Sequence, residues 1–318
     1  MPAGLELLTI GRVSVDLYAD EAGAPFTGAQ RFVKSVGGSP TNVAVAAARL
    51  GHASAVITKV GDDPFGEYVR TKLEAFGVDT RYVGVHPTLR TPLAFAALTP
   101  PEDPEILFYR EPAAPDTTIG PDSLDVAVIR EVPIAWVSAS TLGRGRSADA
   151  VQLLLESRGR GHHTVLDLDY RPQMWDSRAD AERRIGAAVD QCTVAVGNRE
   201  ECEVAVGSAV PEEAARRLLD RGVEIAVVKK GADGVLVATA DDMTTVLTHP
   251  VEVVCGLGAG DAFGGALCHG LLSGWSPVRS AEFGNVAGAI VASRLLCSDA
   301  MPFEDEVVAA LEAAHAPR

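Results

Sequence analysis

Strand-like and helix-like segments alternate along almost the whole chain, and that rhythm restricts the fold more than any other feature. Short apolar, β-branched runs predict strands at Leu7–Val13, Ala55–Val60, Ala135–Ser138, Val165–Leu168, Val194–Val196 and Ile225–Lys229. Helical periodicity predicts helices at Thr41–Leu50, Pro64–Phe76, Ala148–Arg158, Ala179–Asp190, Glu212–Arg221 and Pro277–Leu296. Strands joined through helices run parallel, and the helices then cover the faces of the sheet. The expected fold class is α/β, with a mostly parallel central sheet and helices on both faces.

Two stretches break the rhythm. Tyr18–Val36 is polar and contains glycine, with no helical period. Thr91–Arg110 reads as two short strands around the turn Pro100-Pro-Glu-Asp-Pro104. Both are expected to be β segments outside the main sheet, forming a small lid inserted into one domain that spans 1–318. A closing lid keeps water from a reacting group.

Hydrophobic residues make up 47% of the 318 positions, ample for one large core. No apolar run reaches the roughly 20 residues of a membrane helix. The net charge of −15 argues against nucleic acid or anionic membrane as a partner. It leaves a small anionic substrate open, since such a molecule feels its pocket first. Met1–Leu17 has no basic start and reads as a first strand, not a signal peptide. The five cysteines are scattered, with no Cys-x-x-Cys, so a disulfide scaffold or zinc site is not expected and a reducing cytoplasm fits.

The segment Gly256-Leu-Gly-Ala-Gly-Asp-Ala-Phe-Gly-Gly265 carries the clearest chemistry. The β-rich run Val251–Val254 leads into it, and the helical pattern Ala262–Leu272 leads out. Gly258, Ala259 and Gly260 then sit at a helix start, where free backbone N–H groups and the helix dipole attract an anion, most often phosphate. Asp261 follows directly. An anion hole beside a carboxylate suits phosphoryl transfer to a hydroxyl, with the carboxylate taking the proton. A Walker-type loop is excluded because Asp-Ala stands where Lys-Ser/Thr is needed. Such a glycine turn also occurs for packing alone.

Other constellations carry weaker signals. Gly37-Gly38-Ser-Pro-Thr-Asn42 precedes a helix rich in alanine, and its glycines let backbone approach a ligand while Asn42 can meet a hydroxyl. Asp16, after the first strand, could hold adjacent hydroxyls or cap a turn. Asp167, Asp169 and Arg171 end another strand. Asn198 and Glu201 have capping-box spacing, and Glu201 could instead orient water around Mg²⁺. Lys229-Lys230-Gly231-Ala-Asp-Gly234 reads as a hairpin turn from which Lys230 could reach a nucleotide phosphate. Gly143-Arg-Gly-Arg-Ser-Ala148 fits a dinucleotide fingerprint and leaves an NAD-dependent dehydrogenase as a remote alternative.

Taken together the motifs resemble the ribokinase, or PfkB-type, family of carbohydrate kinases. Gly37–Gly51 with Val60-Gly-Asp-Asp-Pro-Phe-Gly66 resembles its N-terminal signature, and Gly258-Ala-Gly-Asp-Ala-Phe263 its C-terminal one. Thr9–Tyr18, Phe108–Asp116, Asp167–Pro172, Val228–Gly231 and Asn285–Arg294 are most similar to the members that phosphorylate 5-dehydro-2-deoxygluconate in inositol breakdown. The resemblance implies a three-layer α/β/α fold with a β-lid that doubles as a homodimer interface.

It also implies ATP, Mg²⁺ and a sugar acid as small-molecule partners. Asp261 would be the base, and the amides of Gly258, Ala259 and Gly260 would hold the moving phosphoryl. Asp16, Gly37, Gly38 and Asn42 would bind acceptor hydroxyls. Asn198, Lys230, Gly231, Gly234 and Asn285 would bind nucleotide, and Glu201 would reach Mg²⁺ through water. A sugar acid carries a carboxylate, which the planar forks of Arg110 and Arg171 suit. The same motifs allow 2-dehydro-3-deoxygluconate kinase or fructokinase, and a non-catalytic sugar-binding regulator is more remote. Relatives use an Asp near the anion hole for K⁺, whereas Cys255 stands there and offers sulfur in place of the oxygen a hard cation takes.

Overall fold

A computed structural model describes residues 4–21, 24–28 and 31–315. Of the expected 1–318 domain, residues 1–3 and 316–318 lie outside the described residues, as do 22, 23, 29 and 30 of the stretch Tyr18–Val36.

The chain forms thirteen strands and ten α-helices among the described residues. In order they are β1 (Leu7–Ile10), β2 (Ser14–Ala19), β3 (Phe32–Gly37), α1 (Ser39–Arg49), β4 (Ser54–Gly61), α2 (Pro64–Ala75), β5 (Val83–His86), β6 (Leu93–Ala97) and β7 (Glu105–Tyr109). There follow α3 (Val126–Glu131), β8 (Ile134–Ser138), α4 (Ser147–Arg158), β9 (His163–Asp167), α5 (Arg178–Val189), β10 (Val194–Asn198), α6 (Arg199–Val206) and α7 (Pro211–Asp220). The last elements are β11 (Ile225–Lys229), β12 (Val235–Ala238), β13 (Met243–Val246), α8 (Ala259–Leu272), α9 (Pro277–Ala292) and α10 (Glu304–His315).

Nine strands make one sheet in the order β13-β12-β11-β10-β9-β8-β1-β4-β5. From β5 to β11 every pairing is parallel, and β12 and β13 close one edge antiparallel. The strands read as continuous apolar runs because both faces are covered. Leu8, Ala135, Val137, Leu166 and Ala195 face α4, α5, α6 and α7. Leu7, Trp136, Val165, Val194 and Val196 face α1, α8 and α9.

Small residues set how closely α1 and α8 approach. A Cβ on Gly265 would stand 2.4 Å from the Ala46 methyl, so a larger side chain there would push the helices apart. That approach brings the start of α1 to the start of α8.

A second sheet has the order β3-β2-β6-β7. The expected segments beginning at Tyr18 and Thr91 lie in it, but it starts earlier, at Ser14. The predicted first strand Leu7–Val13 breaks at Ile10 because Gly11, with φ 144°, turns the chain out of the main sheet. Two other expectations are also corrected. Val251–Val254 forms no strand: the N–H groups of Val254 and Cys255 both donate to the Ala292 carbonyl. The helix expected to reach Leu296 ends at Ala292. No described helix is long and apolar enough to cross a membrane.

Candidate active site

The parallel strands deliver their last residues to one edge of the sheet, where ligands of α/β folds bind. Asp167 ends β9, Asn198 ends β10 and Lys229 ends β11, with Asn198 and Lys229 in register. The second sheet lies over this edge. Between them is a cavity of about 460 Å³, lined by Asp16, Gly38, Asn42, Asp169, Arg171, Asn198, Glu201, Lys229, Gly258, Gly260 and Asp261 among others.

Helix α8 opens at this cavity. Gly258 takes the left-handed conformation, φ 82°, and leaves the first amides of α8 with no side-chain cap. Asp261 is half-buried in the first turn. Its Oδ2 accepts from Asn42 Nδ2 at 2.7 Å, and Asn42 Oδ1 accepts from Ser298 Oγ at 2.7 Å. Burial pushes the Asp261 carboxyl above its ordinary range, and the Asn42 hydrogen bond opposes part of that rise. A carboxylate so placed is a stronger base than a solvated one.

Asp16 sits on β2 and accepts from Ser14 Oγ at 2.6 Å. Burial pushes it up to about 6. Gly37 makes room for it, since a Cβ there would lie 1.9 Å from Asp16 Oδ2. Asn198 and Glu201 form the capping box: Asn198 Oδ1 accepts from the Glu201 N–H at 2.9 Å, and Glu201 Oε2 accepts from the Asn198 N–H at 2.7 Å. Both nevertheless border the cavity.

Two cavity residues were missed in the sequence. Lys229 points its Nζ toward the start of α8, where a Cβ on Gly260 would lie 3.6 Å away. It stands 3.9 Å from Glu201 Oε2. Burial alone would lower it, yet Glu201, Asp167 and Asp261 carry it above the usual lysine range, so it remains an ammonium. Arg12, just beyond β1, donates to Asp169 Oδ2 at 2.5 Å and to Ser140 Oγ. The position of both at strand ends was the available signal.

Several expected residues lie elsewhere. Lys230 is outside this cavity and donates to Thr245 Oγ1 at 3.0 Å. Gly231 and Gly234 shape the β11–β12 turn, with φ 65° and 87°. Asn285 donates to the Val246 and Leu247 carbonyls and borders a separate pocket of about 260 Å³. Arg171 borders the main cavity and donates from Nε to Asp169 Oδ1 at 3.0 Å. Arg110 lies in an adjoining cavity of about 510 Å³, paired with the buried Asp116. Cys255 is fully buried with Tyr18, Leu98 and Cys297, and its side chain offers sulfur in place of a carboxylate oxygen. In the Gly143–Ala148 turn the glycines face backbone: Cβ atoms on Gly143 and Gly145 would strike the Met174 and Thr117 carbonyls at 2.2 and 2.4 Å. Packing therefore accounts for that apparent fingerprint.

The model of the pfkB family carbohydrate kinases matches residues 5–304. The chain belongs to this family. Among its relatives, the 5-dehydro-2-deoxygluconokinase of Geobacillus thermodenitrificans is 35% identical over 95% of this chain and 92% of that protein. The 5-dehydro-2-deoxygluconokinase 2 of Bacillus cereus is 34% identical over 98% of this chain and 96% of that one. A putative ribokinase II of E. coli, solved with ATP and Mg²⁺, superposes with a TM-score of 0.89 at 25% identity, covering 97% of this chain and 99% of that one. A carbohydrate kinase of this fold is thus a sugar phosphotransferase.

The cavity also fits Mg²⁺. This ion keeps several waters and takes one or two carboxylates together with substrate phosphates. Glu201 and Asp167 offer such carboxylates beside Lys229, and no cluster of three or more His, Cys, Asp or Glu forms a closed protein cage among the described residues.

Proposed function

We propose that this kinase transfers the γ-phosphoryl group of ATP to the primary hydroxyl of a sugar acid, with 5-dehydro-2-deoxygluconate as acceptor and its 6-phosphate as product. The observation that carries the transfer is Asp261, held by Asn42 beside the uncapped start of α8. The substrate assignment draws on the relatives' names and on the guanidinium groups around Asp169.

The residues divide the work. Asp16, Gly38 and Asn42 hold acceptor hydroxyls. Asp261 takes the proton as the hydroxyl oxygen bonds to the γ-phosphorus and the bond to the β-phosphate bridge breaks, leaving ADP. The amides from Gly258 to Gly260 stabilise the charge on the moving group, and the Lys229 ammonium adds to them. Asn198 and Glu201 would hold Mg²⁺ and its waters, which neutralise phosphate charge. The second sheet acts as a lid.

Homodimerisation through that lid is part of the proposal. Its outer face carries Phe32, Phe95 and Tyr109, with both ring pairs 5.4 Å apart and Tyr109 59% exposed. A cytoplasmic location agrees with five free, buried cysteines.

A coupled ADP-release assay tests the reading. 5-Dehydro-2-deoxygluconate, 2-dehydro-3-deoxygluconate and fructose are compared, with and without K⁺. The first should give the highest kcat/KM; release with none of them would overturn the kinase assignment, and a preference for either other acceptor would overturn the substrate.

A further inference from the structure

Arg12 stands where the chain leaves the main sheet for the lid, and its surroundings hold it rigidly. Its carbonyl accepts from Thr41 Oγ1 at 3.1 Å, and the N–H of the next residue, Val13, donates to Asp116 Oδ2 at 3.1 Å. The guanidinium donates through Nη1 to Ser140 and Asp169, and through Nη2 to Asp169 Oδ1 at 3.3 Å. No acceptor among the described residues meets its Nε. The side chain is 12% exposed, and it borders both the cavity of about 460 Å³ and the adjoining one of about 510 Å³.

The charge balance around it is uneven. Asp169, itself 3% exposed, is shared by Arg12 and Arg171. Two guanidinium groups thus contact one carboxylate directly, while Asp167 and Asp261 act on Arg12, and Asp167 and Glu201 on Arg171, from further away. Arg110, in the adjoining cavity, has Asp116 to itself and is balanced. Lys229 faces Glu201 and Asp167. The rest of the main cavity wall is acidic, with Asp16, Asp261 and Glu201. An anionic acceptor is repelled by that wall except at the Arg12–Asp169–Arg171 group.

We infer that Arg12 is a specificity-determining residue that binds the carboxylate of the acceptor at the junction of the two cavities, while the far hydroxyl lies at Asp261. The inference rests on the sugar-acid kinase reading above. A neutral sugar placed there offers the two guanidinium groups no anion in exchange for the water it displaces, which is how a polar site rejects a near-isosteric competitor. Rigid support of Arg12 by Thr41, Ser140 and Asp169 means little ordering is needed on binding.

The test compares wild type, Arg12→Gln and Arg12→Lys on 5-dehydro-2-deoxygluconate and on its counterpart with the carboxyl reduced to an alcohol. KM and kcat for each acceptor, KM for ATP and the thermal midpoint are recorded. Arg12→Gln should raise KM for the acid roughly 100-fold, the scale set by loss of a charge-assisted pair, with little change for the alcohol or for ATP. Arg12→Lys should fall between, because an ammonium lacks the planar fork. If Arg12→Gln does not fold, Arg12→Lys carries the same acid-against-alcohol comparison. Equal losses on both acceptors, or a matching rise in KM for ATP, would overturn the inference and leave the kinase reading standing. A wild type that phosphorylates neither acceptor overturns that reading and the inference with it.

Discussion

Asn42 and Asp261 are 219 positions apart in the chain, yet a 2.7 Å hydrogen bond joins them. The amide can only donate from Nδ2, so it holds the carboxylate as an acceptor and ties the start of α1 to the start of α8. The two glycine-rich segments, Gly37–Asn42 and Gly256–Asp261, therefore meet through one hydrogen bond.

Replacing Asp261 with Asn removes the base and keeps the shape. We expect kcat to fall about 100-fold or more, with ATP affinity by calorimetry and the thermal midpoint close to wild type. A kcat near normal would remove Asp261 from the base role.

The pH profile of kcat should carry the environment of Asp261. The base works ionised, and burial raises its pKa, so activity is lost as pH falls through a value above the ordinary carboxylate range. The Asn42 hydrogen bond favours the ionised form. Asn42→Ala should therefore move the acid limb to higher pH. An unmoved limb, or one moved downward, would contradict that coupling.

The two adjacent lysines should behave oppositely. Lys229→Met removes the ammonium beside Gly260 and should cost roughly 10- to 100-fold in kcat/KM for ATP, as for a lost charged hydrogen bond. Lys230→Met removes a surface contact to Thr245 and should change it by less than about twofold. Steady-state kinetics with varied ATP separates them, and the reverse ranking would return the phosphate role to Lys230.

Stability should fall on mild acidification through His269. Its ring stacks on Phe283, meets Trp275 edge-on and lies 3.0 Å from His52 Nε2 through Nδ1. Burial, then the neighbouring His52, lowers its pKa. The unfolded chain thus binds a proton more readily than the folded one, so its contribution is present above about pH 6.5 and is lost as pH drops below that toward the folded value. Urea midpoints at pH 7.5 and 5.5 measure the loss. His269→Gln should flatten the difference; an undiminished pH effect would assign it to other groups.

The alternation of elements was readable because local pattern determines it, and Asp16, Asn42, Gly258, Gly260 and Asp261, singled out by their local motifs, do border one cavity. The sequence points Lys230 toward the phosphate, whereas Lys229 is the lysine that borders the cavity; which of two neighbours faces inward depends on where β11 ends beside β10. Arg12 was missed, and the pairing of Arg110 was not visible, for a longer-range reason. Arg12 meets Asp169 across 157 positions and Ser140 across 128. Arg110, expected to meet the substrate carboxylate, is paired with Asp116 in the folded chain. The early break of β1 turned on a single glycine, Gly11.

The pairing of Asn42 with Asp261 also orders events during synthesis. A ribosome must translate most of the chain before Asp261, the proposed proton acceptor, exists, and α8 must then dock on α1 for it to meet Asn42. On the proposed mechanism, a chain cut before α8 is expected to show no turnover. Turnover therefore reports, in one readout, that synthesis has passed α8 and that the two ends of the chain have found each other.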